Sequence, residues 1–178
     1  SDASIATASE GTSTGPRGWW PVGELARREP TRVYEEWTLS LAAARQMVEA
    51  SGPFDGVFAF SQGCAVATAL LRDAAAGDLE QMAGARFAVL VGGFVPRDAA
   101  IAAELRGDGS LLRVGALHVT GAQDDLVPRS RTQALAELYD DASSEWFEHP
   151  GRHGVPSGSG GFKEALQKLL AGARSAAS

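Results

Sequence analysis

Seven residues, Val57-Phe58-Ala59-Phe60-Ser61-Gln62-Gly63, constrain this chain more than any other stretch. A short apolar run ends at a serine, and a segment with helical spacing, 62–76, follows at once. A strand that turns sharply into a helix holds the residue at the turn in a strained backbone conformation and exposes its side chain. Such a turn tolerates only small residues two positions either side, and Ala59 and Gly63 are small. The start of the following helix aims free amides at any negative charge that develops beside the serine. An ordinary serine-capped joint between strand and helix produces the same local string, so the rest of the chain has to decide.

The remaining pattern is one of alternation. Val33, Trp37, Leu41, Ala44 and Val48 recur at helical spacing over 31–50, and Gly52-Pro53 stops them. Residues 54–60 and 87–91 are apolar enough to predict buried parallel strands, with further strands over 114–120 and 144–147. Helices are predicted over 62–76, 99–105, 130–138 and 162–174, the last with Phe162, Leu166, Leu169 and Leu170 as its stripe. Strands alternating with helices predict an α/β fold, a mostly parallel sheet flanked by helices. Residues 1–15 read as a loop or mobile tail, and 16–178 as one domain. The glycines at 158–161 read as a flexible connector. Trp19-Trp20, between Pro16 and Pro21, should cover something apolar, either as a plug in the core edge or as a pocket wall.

A serine hydroxyl is a weak nucleophile until a base takes its proton, and a histidine oriented by a carboxylate is the usual base. On α/β sheets with a serine nucleophile the chain order is serine, acid, histidine. Here the loop after the third strand carries Asp124 and Asp125, and the loop after the fourth carries His149 and His153. Both loops leave strand C-termini, the edge where ligands bind open α/β sheets. Each residue alone is more ordinary as a turn, a cap or a solvated side chain. Their joint order at one sheet edge points to nucleophilic acyl transfer. His118, inside a strand, reads as a satisfied core residue.

Composition excludes other classes. Net charge is −6 with no run of Lys or Arg, which disfavours a nucleic-acid partner. The longest apolar stretch, 87–95, is too short to span a bilayer, so no membrane partner is expected. The single cysteine, Cys64, excludes an internal disulfide, fits a cytoplasmic location and reads as packing.

PRGWW at 16–20, GPFDG at 52–56, FSQG at 60–63, GFVPR at 93–97, LHVTGAQDDLVP at 117–128 and HPGRHGVP at 149–156 together resemble the FSH family of serine hydrolases. The resemblance runs from about Pro16 to the end of the chain. It implies an α/β-hydrolase fold and cleavage of acyl esters or thioesters with no metal or cofactor. It further implies Ser61 as nucleophile, Asp124 as orienting acid, His153 as base and the Gln62 backbone N–H as an oxyanion donor. Trp19, Trp20 and Arg152 are then expected at the substrate.

Three departures stand out. Ala59 replaces the elbow's usual glycine, and Arg152 replaces a glycine beside the base, where a cation would lower the histidine pKa or bind an anionic substrate. Nothing matches the family's first strand and its L-H-G loop, which supplies a second oxyanion amide. Roughly fifty further residues carrying parallel strands are therefore expected, on the same chain or as a separate docked segment. Two other functions stay open: a non-catalytic interaction subunit built on the same fold, and acyl transfer to an acceptor other than water.

Overall fold

The computed structural model describes residues 18–21 and 30–175. The expected tail and the first two residues of the PRGWW stretch lie outside these described residues. Helix α1 (Pro30–Ser51) leads into β1 (Gly56–Phe60), α2 (Gly63–Ala76), β2 (Phe87–Val91), α3 (Ala99–Arg106) and β3 (Gly115–Gly121). Helix α4 (Arg129–Ala136), β4 (Ser144–His149) and α5 (Gly160–Ser175) complete the order. The four strands form one parallel sheet in the order β1-β2-β3-β4.

The side chains of alternate strand residues separate two apolar layers. Ala88, Leu90 and Ala116 pack with Trp37 and Leu41 of α1, Cys64 to Leu71 of α2, Ile101 and Leu105 of α3, and Leu135 of α4. Val89, Val91, Leu117 and Val119 face the other way, onto Phe162 and Leu169 of α5. Burial on both faces explains why β2 and β3 read as continuous apolar runs. Local chemistry ends the helices where the pattern stops. Asp98 caps α3 by accepting from the N–H groups of Ala100 and Ile101. Gly77 ends α2 at φ 87°, where a β-carbon would be strained.

Three expectations need correction. The first strand is not buried: β1 pairs only with β2, and its other edge is open among the described residues. Phe58 there is 53% exposed and Phe60 39%. The glycines at 158–161 are not all connector, because Gly160 and Gly161 open α5. His118 is fully buried but not satisfied, since neither ring nitrogen has a hydrogen-bond partner. It lies between Tyr139 and Trp146, with ring centroids 5.2 and 5.3 Å away. Burial without a partner holds its pKa down to about 4. No helix among the described residues is long and apolar enough to cross a membrane.

Candidate active site

Because all four strands run the same way, the loops at their C-terminal ends meet at one rim. Ser61 is the first residue after β1 and has φ 55°, the one positive φ at a non-glycine among the described residues. Its N–H donates to the Val91 carbonyl at 2.8 Å, and its own carbonyl accepts from the Cys64 N–H at 3.0 Å. The strained turn is thus tied to β2 on one side and to the first turn of α2 on the other. Ala59 does not disturb it: its methyl is buried on the α2 side of the sheet. The Gln62 N–H makes no hydrogen bond among the described residues and stands at the start of α2. An unpaired amide there is available to a developing oxyanion.

His153 Nε2 lies 2.9 Å from Ser61 Oγ, and His153 Nδ1 lies 2.7 Å from Asp124 Oδ2. Asp124 follows β3 closely, and its Oδ1 accepts from the N–H groups of Leu126 and Val127 at 3.0 and 2.8 Å. Those amides hold the carboxylate and keep its other oxygen for the imidazole. Phe60 packs against the His153 ring, centroids 4.8 Å apart. Two glycines make room for the histidine loop. A β-carbon on Gly92 (φ 57°) would sit 2.8 Å from His153 Cε1, and one on Gly121 would sit 2.6 Å from the Gly151 and Arg152 carbonyls.

Of the paired alternatives, Asp125 and His149 are not brought to the serine. Asp125 is exposed and bonded to Arg152 at 2.8 Å. His149 is buried, and its Nδ1 accepts from the Gly151 N–H. Arg152 is itself exposed and spends its charge on Asp125. The tryptophans divide the two roles between them. Trp20 is a plug, 5% exposed and edge-on to Trp37 at 5.2 Å. Trp19 is half-buried and lines an apolar groove of about 370 Å³ with Met47, Val48, Phe58 and Gly63. The Gln62 side chain holds that segment, accepting from the Trp19 N–H and donating to the Trp20 carbonyl, both at 2.9 Å. Cys64 is fully buried, and burial pushes its thiol pKa far up, so it packs rather than reacts. No group of three His, Cys, Asp or Glu side chains that could hold a metal occurs among the described residues.

Sequence reasoning passed over Gly92, Gly121 and Phe60. The one available signal was the Gly92-Gly93 pair interrupting an apolar run directly after a strand.

The family described as "Serine hydrolase (FSH1)" matches residues 1–164. The chain belongs to this serine hydrolase family. It is 32% identical over 149 residues to "Esterase C25G4.2" of Caenorhabditis elegans, covering 79% of this chain and 64% of that protein. It is 34% identical over 158 residues to "Esterase OVCA2" of Danio rerio, covering 86% and 67%. The chain therefore spans about two thirds of the length of these relatives. Among solved structures, Zea mays acyl-protein thioesterase 2 shares the fold at 19% identity with a TM-score of 0.53, covering 79% of this chain and 66% of that one. The α/β-hydrolase architecture follows from these matches.

Proposed function

We propose that this serine hydrolase cleaves acyl esters or thioesters through a Ser61-His153-Asp124 triad and an acyl-enzyme. The observation that carries the reading is the unbroken chain of contacts from Ser61 Oγ to His153 Nε2 and from His153 Nδ1 to Asp124 Oδ2.

The chemistry runs along that chain. His153 Nε2 takes the proton as Ser61 Oγ attacks the acyl carbonyl. Asp124 fixes the tautomer that leaves Nε2 free and stabilises the imidazolium that forms. The Gln62 N–H donates to the oxyanion. Collapse expels the alkoxide or thiolate, to which His153 returns the proton. Water, deprotonated by His153, then attacks the acyl carbon and frees Ser61 and the acid.

One amide is half of a usual oxyanion hole. We place the second on polypeptide outside the described residues, paired along the open edge of β1. The unpaired strand edge and the exposed Phe58 support this, as does the greater length of the relatives. An open apolar edge is costly to leave uncovered. The same observation favours a second reading, in which this chain alone is a poor catalyst.

The test is p-nitrophenyl ester hydrolysis and labelling by a fluorophosphonate probe, in the wild type and in Ser61→Ala. Loss of both in the variant supports the triad, and full activity in Ser61→Ala overturns it. A wild type that neither turns over nor labels favours the second reading.

A further inference from the structure

Among the described residues, two arginines at the rim have no carboxylate to answer them. After β2 the chain runs Gly92-Gly93-Phe94-Val95-Pro96-Arg97, so this segment leaves the His153 ring at Gly92 and reaches Phe94 within about 7 Å of chain. The Arg131 guanidinium, from the first turn of α4, lies over the Phe94 ring at 4.1 Å. Phe94 is buried and packs edge-on to Trp20, so the platform is fixed. Arg131 is half-buried, and its pKa is lowered first by that burial and then by the neighbouring charge of Arg97.

Four acids of the described rim loops are already engaged. Asp124 is held by His153, Asp125 by Arg152, Glu148 by Arg129, and Asp98 by the amides that open α3. The Arg97 and Arg131 side chains make no hydrogen bond or ion pair among the described residues. Gathering two like charges and stripping water from one of them costs free energy unless an anion repays it. The cost is incurred on the rim that carries Ser61, in a chain of net charge −6.

We infer that Arg97 and Arg131 form an anion subsite that selects esters or thioesters carrying a carboxylate or phosphate group a short arm away from the scissile carbonyl. Guanidinium forks suit both oxyanions, and stacking on Phe94 holds one of them in place before the ligand arrives. This inference rests on the hydrolase reading of Ser61, and it deepens that reading by naming a substrate class.

The experiment measures binding in the Ser61→Ala chain, where esters survive, by the change in tryptophan fluorescence and by calorimetry. Monomethyl adipate carries its anion on the acyl arm, and 2-acetoxyethyl phosphate carries it on the leaving group. Dimethyl adipate and 2-methoxyethyl acetate are the neutral controls. One anionic ester should bind at least about tenfold tighter than its control and weaken as salt is raised. Arg97→Gln and Arg131→Gln should each erase the preference without weakening the neutral ester. Arg97 is exposed, so its variant tests the idea even if Arg131→Gln unfolds. A preference for the carboxylate, the phosphate or both supports the subsite and says which arm carries the charge. Equal binding of charged and neutral esters, or a preference that survives in Arg97→Gln, overturns it. Because binding here needs no turnover, a wild type that binds the anionic ester but does not cleave it would support the subsite and count for the reading in which this chain alone is a poor catalyst.

Discussion

Gly92 and His153 are packed so closely that no other residue fits at position 92: a β-carbon there would come within 2.8 Å of His153 Cε1 and 3.0 Å of Nδ1. The Gly92 N–H is fixed to the Val119 carbonyl at 2.9 Å, and φ is 57°, so the backbone cannot swing aside cheaply. The imidazole must therefore move. Gly92→Ala should lower kcat for p-nitrophenyl esters about a hundredfold, the order expected when a reacting group shifts by an ångström. KM should change little, because Ser61 and the groove are untouched. Steady-state kinetics with the variant's melting curve would check this, and wild-type kcat would refute it.

The carboxylates at 124 and 125 are neighbours with opposite surroundings. Asp124 is buried and touches His153, while Asp125 faces solvent with Arg152. Asp124→Asn keeps the shape and can still accept from Leu126 and Val127, but it favours the wrong imidazole tautomer. We expect kcat to fall roughly ten-thousandfold. Asp125→Asn removes only an exposed ion pair, of a kind that contributes about 1 kcal/mol or less, and should leave the rate within about threefold. Equal effects in the two variants would reverse the assignment.

Much of this arrangement could be read from the sequence because it rests on local rules. The apolar stripe of α1, the continuous runs of β2 and β3 and the small residues around Ser61 each answer to spacing along the chain. What escaped depends on approach through space. No spacing says that Gly92 meets an imidazole sixty-one residues later in the chain, or that Trp19 and Trp20 part into wall and plug. Residues 54–60 look like an interior strand because their side chains are those of one, yet among the described residues the strand lies at the open edge of the sheet. Residue chemistry narrowed the acid and base to two pairs, the family resemblance implied one of each, and the geometry brings those two to Ser61.

His118 makes the fold sensitive to acid. Its pKa is about 4 in the folded protein and near 6.5 when exposed, so the unfolded chain binds the proton more readily. The contribution of this residue is therefore complete above pH 6.5 and is lost as pH falls toward 4. The loss should be about 2 kcal/mol at pH 5 and about 3 kcal/mol at pH 4. Urea midpoints at pH 7 and pH 5 should diverge more in the wild type than in His118→Leu, which has nothing to protonate. Parallel pH profiles in the two proteins would count against the buried neutral ring.

Gln62 serves the site twice, through separable groups. Its backbone N–H, next to Ser61, is unpaired among the described residues, while its side chain clamps Trp19 and Trp20 through two hydrogen bonds at 2.9 Å. Gly18 passes so near that a β-carbon would lie 2.8 Å from Gln62 Oε1, so the clamp also requires the glycine. Gln62→Ala keeps the amide and loses the clamp. Each lost bond contributes about 1 kcal/mol, and the released segment includes the wall of the groove. KM for longer acyl chains should therefore rise several-fold, while kcat for p-nitrophenyl acetate, which has almost no acyl chain to lay along the groove, stays within about threefold. A comparison of acetate and octanoate esters separates the two roles. A fall in kcat for both, with KM unchanged, would mean that the side chain holds the elbow itself rather than the tryptophan segment.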